Sequence, residues 1–149
     1  MTQKHFRQCV VALFTNTDNM VLTGQRSDNQ AWQLPQGGVD KNEDELTALY
    51  REMKEEIGCD DFMVLKRMNQ KLRYIFPNTL TSDISRAYAG QEQRWFLCKF
   101  NADQKPNLKL ASCDEFQDLK WTKASEVLHN IVSWKREVYE KAFTFFNLL

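Results

Sequence analysis

Three glutamates, Glu52, Glu55 and Glu56, are spaced so that they would share one face of a helix. Residues three or four positions apart are neighbours on a helix surface, and like charges there destabilise an isolated helix by ~0.2–0.5 kcal/mol for each i,i+4 pair. A cation bound between the carboxylates removes that repulsion, and hard carboxylate oxygens favour Mg²⁺ or Mn²⁺. A pattern of this kind standing alone has a second explanation, a solvated acidic helix face.

The segment that carries these glutamates, residues 42–57, has the pattern of an amphipathic helix. At about 100° per residue, one apolar stripe is expected to face the core. Its members are Leu46, Leu49, Met53 and Ile57. We expect Asn42 to cap the helix, with Glu45 reaching back in capping-box style, and Gly58 to end it. The glutamates then form a stripe adjacent to the buried one.

The loop before this helix weakens the explanation as a solvated face. Gly37, five residues, Glu43 and seven residues lead into the segment Arg51-Glu52-Met53-Lys54-Glu55-Glu56-Ile57-Gly58-Cys59. Every specified position of this pattern matches the Nudix box, and the chain therefore resembles the Nudix hydrolases. These enzymes hydrolyse a nucleoside diphosphate linked to another group. The resemblance implies an α/β/α sandwich with a mixed sheet, in which the box forms a loop-helix-loop motif.

The resemblance also implies a metal centre. Glu52 and Glu56 would be its central ligands, and Glu55 would be a further ligand or would orient the water. A backbone carbonyl near Gln36 or Gly37 would complete the site, which is expected to hold two or more Mg²⁺ ions, with Mn²⁺ as an alternative.

Two other positions of the box have a structural role by resemblance. Arg51 and Glu43 would hold the helix and the loop in place, while Gly37 and Gly58 are the fixed glycines of the motif. Arg51 would thereby belong to the catalytic group of residues.

The resemblance extends over most of the chain, to the bacterial RNA pyrophosphohydrolases, which are also described as dinucleoside polyphosphate hydrolases. The matching segments are residues 32–38, 72–74, 90–97 and 114–116, Trp121, and residues 132–139. By resemblance, Glu115 joins the metals from outside the box. The substrate would be contacted by Arg7, Arg26, Tyr74, Trp134 and Lys135. Leu34 replaces the usual phenylalanine, and Asp114 replaces a proline before Glu115.

The expected reaction is attack of water on a phosphoric anhydride, helped by charge neutralisation and positioning. Either Glu55 or Glu115 is the general base, and the residues do not choose between them. A triphosphorylated RNA would yield a 5′-monophosphate end and pyrophosphate, and a diadenosine polyphosphate would yield ATP and a shorter nucleotide. Which substrate dominates stays open. A non-catalytic Nudix module would lack box glutamates, whereas all are present, and a calcium-binding protein would need a D-x-D-x-D-G loop.

The composition of the chain limits the kind of domain that can position these residues. With 149 residues, 42% hydrophobic, we expect one domain spanning 1–149. The 20 basic and 20 acidic residues balance, which argues against extended non-specific nucleic-acid binding. We find no signal-like or membrane-length apolar run, and the four scattered cysteines indicate reduced thiols. The expected protein is a cytoplasmic monomer without membrane contact, and the sequence leaves its protein partners open.

Periodicity predicts the elements that carry the site. Strands are expected at residues 9–14, 20–26, 62–68, 71–76, 93–100 and 116–121, with a loop at 32–40 and a short helix at 124–129. A longer helix should close the chain, its core face formed by Trp134, Val138, Ala142, Phe145 and Leu149. Neighbouring strands with few helices favour a mixed α/β sandwich.

Overall fold

The computed structural model describes residues 4–149, arranged as two β-sheets with helices packed against them. The strands are β1 (Phe6–Phe14), β2 (Val21–Arg26), β3 (Trp32–Gln33), β4 (Gln36–Gly38), β5 (Phe62–Arg67), β6 (Leu72–Ile75), β7 (Gly90–Phe100) and β8 (Phe116–Thr122). The helices are α1 (Glu45–Ile57), α2 (Asp83–Ala87), α3 (Ala124–Asn130) and α4 (Arg136–Phe145). Short 3-10 turns lie at Leu108–Leu110 and Ser133–Lys135.

The larger sheet is mixed and has five strands. Four of its strands follow the order β4-β1-β7-β5. β6 also pairs with β7, along the same edge as β5 but next to the first residues of β7. The central strands β1 and β7 are parallel, with Phe6 opposite Gly90 and Phe14 opposite Cys98. β1 is apolar and buried along its last six residues, as expected for a parallel strand covered on both faces. β3, β2 and β8 form the smaller antiparallel sheet.

Successive side chains of β1 point to opposite faces and build two cores. Val10, Ala12 and Phe14 pack in the core that includes α1. Val11 and Leu13 pack in the core that includes α3 and α4. The expected α/β/α sandwich with a mixed sheet is therefore confirmed. No helix within residues 4–149 has both the length and the apolar character needed to cross a membrane.

The start of α1 differs from the prediction. Asp44, rather than Asn42, is the N-cap, and its carboxylate accepts a hydrogen bond from the Thr47 backbone N–H at 2.9 Å. Asn42 has a φ of 66°, a left-handed conformation that turns the chain before the helix begins. Glu45 does not reach back to a cap, because its carboxylate accepts hydrogen bonds from Arg94 on β7. The capping-box assignment was wrong.

One member of the predicted apolar stripe of α1 is not in the core. Leu46 is 49% exposed, whereas Leu49, Met53 and Ile57 are fully buried. The buried positions of the helix begin only at Ala48, so its first turn is not covered. Periodicity gives an angle around the helix axis but does not tell whether another element covers that turn.

The C-terminal helix also differs from its prediction. α4 begins at Arg136, and Trp134 lies in the 3-10 turn that precedes it. Phe145 is 40% exposed and Leu149 is 62% exposed, so their assignment to the core was wrong. The buried face of α4 consists of Val138, Tyr139, Ala142 and Phe143. The prediction extended the same helical periodicity beyond residue 145, although α4 ends there.

Candidate active site

The three glutamates of α1 differ sharply in burial. Glu56 is only 5% exposed, and among the described residues its Oε1 atom has no hydrogen-bond partner. The Glu52 side chain is 13% exposed and that of Glu55 is 40% exposed. A buried carboxylate oxygen without a partner is costly unless something else binds it. Glu56 therefore marks the part of the helix where a cation would be most strongly stabilised.

The electrostatics of this cluster favour a positive ligand. Burial raises the pKa of Glu56 well above its usual value near 4.5, and the negative charges of Glu115 and Glu52 raise it further. Burial also raises the pKa of Glu52, whose carboxyl is hydrogen-bonded to that of Glu56. Carboxylates that resist ionisation because they lack an opposite charge regain their ordinary acidity when a cation binds between them.

Arg51 ties the glutamate helix to the preceding loop. Its guanidinium donates to both carboxylate oxygens of Glu43 at 2.8 Å and to the Gly38 carbonyl at 2.9 Å. The same group reaches Glu52 at 2.9 Å and Glu55 at 3.4 Å. The hydrogen bonds from Arg51 lower the pKa of Glu43 to about 2. This bidentate pair fixes the loop against the helix by two parallel charge-assisted bonds.

The fit of these residues to a metal ion depends on Arg51, which pairs with two of the glutamates. Among the described residues, no three acidic, histidine or cysteine side chains converge on a single point suited to an ion. Glu52 and Glu55 instead face Arg51. The oxygen-only donor set, the unpartnered Oε1 of Glu56 and the mutual repulsion in the cluster fit a hard divalent cation. Binding would require Glu52 and Glu55 to turn from Arg51.

The two glycines of the motif allow close approaches. A side chain at Gly37 would collide with the carboxyl group of Glu52, so only glycine lets β4 lie against that part of α1. Gly58 ends α1 with a φ of 68°, and a side chain there would also collide with the Asn107 carbonyl. Both positions need glycine for a reason of space, and Gly58 needs it for its backbone conformation as well.

Glu115 lies next to the box cluster although it is far away in sequence. It precedes β8, and its charge raises the pKa of Glu56. Its Oε1 accepts a hydrogen bond from Arg26 at 3.1 Å. Arg26 also makes two hydrogen bonds to Asp28, at 2.9 and 2.6 Å. Asp114 therefore does not turn Glu115 away, and two carboxylates already balance the charge of Arg26.

A cavity of about 190 Å³ adjoins this cluster. Among the residues lining it are Arg26, Gln36, Tyr74, Phe76, Trp134 and Lys135. Three aromatic rings meet edge to face on its wall, with ring centroids 5.2 Å apart for Tyr74 and Trp134 and 6.2 Å apart for Phe76 and Trp134. Trp134 is half-buried and Tyr74 is 7% exposed. Edge-to-face contacts hold these rings in place.

Lys135 is a buried cation on the same wall. It is 7% exposed, and its Nζ donates to Gln33 Oε1 at 2.9 Å and lies 5.1 Å from the centroid of the Trp134 ring. Burial lowers the pKa of Lys135 to about 8. Within residues 4–149 no carboxylate lies within salt-bridge distance of Nζ. A buried ammonium without a counter-charge is suited to an anionic ligand.

Arg7, the remaining predicted substrate contact, lies on β1 with its guanidinium against Gly38. The structure thus places Arg7 beside the loop of the box, whereas Arg26, Tyr74, Trp134 and Lys135 line the cavity.

Two glutamines of the cavity, Gln33 and Gln91, were not predicted from the sequence. They line the cavity together with Trp32 and with Gln36, which was predicted only for its backbone carbonyl. A signal was present in β7, where Gln91, Gln93 and Trp95 alternate onto one face. Polar residues on the inward face of a buried strand are unusual, and that alternation could have identified them.

Comparison with known proteins agrees with this geometry. A family model described as the NUDIX domain matches residues 5–142. The chain belongs to the Nudix family. Within that family it is 35% identical over 144 residues to an RNA pyrophosphohydrolase from Francisella tularensis subsp. mediasiatica, covering 95% of this chain and 93% of the relative. It is therefore a Nudix hydrolase, and members of the family generally use divalent metal ions.

Solved structures share the fold of this Nudix hydrolase at lower identity. The binary complex of the C. elegans Ap4A hydrolase is 18% identical with a TM-score of 0.66, covering 93% of this chain and 98% of that one. A bifunctional NMN adenylyltransferase/ADP ribose pyrophosphatase from Francisella tularensis, complexed with AMP and a Mn ion, is 18% identical with a TM-score of 0.62. That match covers 97% of this chain and 42% of the other.

Proposed function

We propose that this Nudix hydrolase removes pyrophosphate from the 5′-triphosphate end of RNA and also cleaves dinucleoside polyphosphates. The observation that carries the proposal is the cavity beside the glutamate cluster, which joins an aromatic wall to the buried cation Lys135. An aromatic wall can stack a base, and such stacking contributes ~1–3 kcal/mol. A buried ammonium group can hold a phosphate of the attached chain. The cavity therefore suits a nucleotide that carries several phosphates.

The relatives support two substrate classes. The Francisella relative is named an RNA pyrophosphohydrolase, and its similarity extends over nearly the whole chain. The C. elegans neighbour is named an Ap4A hydrolase and shares the fold. We place RNA first because that relative is more similar in sequence. Cleavage of dinucleoside polyphosphates as the main activity is the alternative.

We propose that Mg²⁺, or Mn²⁺ in its place, is held by Glu52, Glu55 and Glu56, by Glu115 from outside the box, and by a backbone carbonyl near Gln36 or Gly37. More than one ion is expected, because four carboxylates would be available once Glu52 and Glu55 turn from Arg51. When bound by these residues, such ions would neutralise phosphate oxygens, lower the pKa of a bound water and stabilise the leaving pyrophosphate.

The chain's own residues bind and orient the reactants. Trp134 and Tyr74 hold the base, while Lys135, Arg26 and Arg7 supply positive charge along the phosphates. Water attacks phosphorus, the anhydride P–O bond breaks, pyrophosphate leaves, and a carboxylate oxygen takes the proton of the water. Glu55 is half-exposed and Glu115 is paired with Arg26, so both remain candidates for that base. Arg51 positions the helix that carries the first of them.

The wider setting follows from the substrate. Pyrophosphate removal from RNA ends suits a cytoplasmic role in mRNA decay. Residues 1–149 are proposed to be one domain, which fits a family match over 5–142. We also propose that the protein acts as a monomer. A non-catalytic nucleotide-binding module is the less favoured alternative, because every box glutamate is present.

Product analysis tests the proposal. Purified protein and Mg²⁺ are incubated separately with a 5′-triphosphorylated RNA and with diadenosine tetraphosphate, and the products are separated. We expect pyrophosphate and a 5′-monophosphate end from the first, and ATP with AMP from the second. Glu56→Gln should abolish both reactions. A protein that binds both substrates and releases neither set of products would be a binding module.

A further inference from the structure

Four side chains of β7 and β4 form a continuous chain of hydrogen bonds beneath the cavity. The Trp95 indole N–H donates to Gln93 Oε1 at 3.1 Å. Gln93 Nε2 donates to Gln36 Oε1 at 2.8 Å and to Gln91 Oε1 at 3.0 Å. Gln36 Nε2 in turn donates to Gln91 Oε1 at 3.2 Å. Gln93 and Trp95 are fully buried, while Gln36 and Gln91 line the cavity.

The chemistry of these groups fixes the direction of the chain. An indole N–H can only donate, so Gln93 must turn its oxygen toward Trp95. Its amide nitrogen then faces Gln36 and Gln91, and both of its N–H groups are used. Gln36 and Gln91 must accept from Gln93 with their oxygens. One buried donor therefore determines how three amides are oriented.

This series of hydrogen bonds ends at Gln91, whose amide nitrogen donates to no other group of the series. Gln91 Oε1 accepts from two glutamines, whereas no protein group within residues 4–149 accepts a hydrogen bond from Gln91 Nε2. Since Gln91 lines the cavity, this nitrogen is the group available to donate to a ligand there. The neighbouring Gln36 also joins the cavity to the glutamates, because its backbone N–H is hydrogen-bonded to Glu56.

We propose that Gln93 is a positioning residue, which, held by Trp95, fixes the side-chain amides of Gln36 and Gln91 so that Gln91 Nε2 faces the phosphate chain of the substrate. This role rests on the proposed function. Without Gln93 each of the two amides could rotate and turn an oxygen toward an anion, which repels it. Donors oriented in advance bind an anion without an ordering cost at the moment of binding.

The test compares three variants by thermal melting, by calorimetric binding of inorganic pyrophosphate with Mg²⁺, and by kinetics on triphosphorylated RNA. Gln93→Met keeps the length of the side chain but removes its amide. Trp95→Phe keeps an aromatic ring but removes the donor that orients Gln93. Thr23→Val is the matched control, because it removes a buried hydroxyl, hydrogen-bonded to Thr122 at 3.1 Å, that does not line the cavity.

We expect Gln93→Met to raise the Kd for pyrophosphate and the KM for RNA by about tenfold, the effect of ~1.4 kcal/mol, with kcat changed less than threefold. Trp95→Phe should raise both constants by about threefold, and it replaces Gln93→Met in the comparison if the latter does not fold. Thr23→Val should lower the melting temperature and leave both constants unchanged.

An unchanged Kd in both Gln93→Met and Trp95→Phe overturns the proposal. So does an equal rise of Kd in Thr23→Val, since the effect would then follow from lost stability. If wild-type protein binds pyrophosphate but does not release it from RNA, the proposed function fails, while the comparison of Kd values still decides the role of Gln93.

Discussion

At the scale of single residues, Glu56 combines two properties that usually exclude each other. It is buried as deeply as a core residue, and it carries a carboxyl group whose Oε1 has no partner in the described part of the chain. Such a group lowers the stability of the fold unless its charge is matched. Catalytic sites collect ionisable groups with shifted pKa values for the same reason, because function requires an arrangement that stability alone would not favour.

Glu56→Gln should raise the melting temperature of metal-free protein at pH 7–8 by about 2–4 °C for each ~1 kcal/mol of relieved repulsion. The folded pKa of Glu56 lies above its usual value near 4.5, so its contribution to stability falls as pH rises past that value. The gain should therefore shrink toward pH 4.5. Glu140→Gln, on the exposed side of α4, is the control and should melt like wild type. A variant that melts below wild type at pH 8 would contradict this account.

The lowered pKa of Lys135 predicts that substrate binding depends on pH. Because burial lowers its pKa to about 8, it is charged below that pH and neutral above it. The KM for triphosphorylated RNA should rise by about tenfold between pH 7 and pH 9.5 in wild type, as an ion pair with phosphate is lost. Lys135→Met should have the higher KM at both pH values and a flat profile. A wild-type profile retained in Lys135→Met would assign the titration to another group.

At the scale of elements, the glutamate-bearing helix α1 is positioned from both ends. Asp44 caps its N-terminus, Gly58 ends it in a left-handed conformation, and Arg51 joins its second turn to the Gly38 carbonyl. The loop and the helix therefore move as one unit. The Nudix box thus includes, besides its glutamates, the structural frame that orients them.

The cap assignment can be tested directly. Asp44→Ala should destabilise the protein by about 1 kcal/mol, since it removes the acceptor for the Thr47 N–H. That loss corresponds to a fall of about 2–4 °C in melting temperature for a chain of this size. Asn42→Ala is the paired variant and should leave the first turn of α1 intact, with its amide protons as well protected from exchange as in wild type. Loss of protection in Asn42→Ala but not in Asp44→Ala would return the cap to its predicted position.

At the scale of the whole molecule, the segment that leads into β4 is joined to the C-terminal helix. Tyr139 of α4 is fully buried, and its hydroxyl accepts a hydrogen bond from the Leu34 backbone N–H at 3.0 Å. Leu34 immediately precedes Pro35 and the β4 strand of the box. This contact links the C-terminal helix, within the core that contains both residues, to the segment that leads into Gln36.

Tyr139→Phe should destabilise the protein by about 1–3 kcal/mol, because it leaves the Leu34 N–H buried without an acceptor. Tyr88→Phe, which removes a hydroxyl without a protein partner in residues 4–149, should be within about 0.5 kcal/mol of wild type. Chemical denaturation of both variants measures the difference. A free energy of unfolding equal to wild type for Tyr139→Phe would mean that water satisfies the amide.

The sequence by itself determined the local parts of this protein. The box spacing identified the family, a helix predicted over residues 42–57 and the three glutamates on its face, since these follow from the fixed geometry of a helix and a short loop. The apolar runs identified the main strands for the same reason. The short strands β3 and β4 escaped notice because two or three residues have no measurable period.

Tertiary structure alone decided how distant segments meet. Only the packed fold brings Glu115 next to Glu56 and Lys135 next to Gln33, more than fifty and one hundred positions apart in the chain. It also decided that Leu46 is exposed and that Gln93, in a strand otherwise suited to the core, is buried among other amides. Periodicity determines which face of its own element a side chain lies on. Burial and electrostatics depend on which other elements pack against that face.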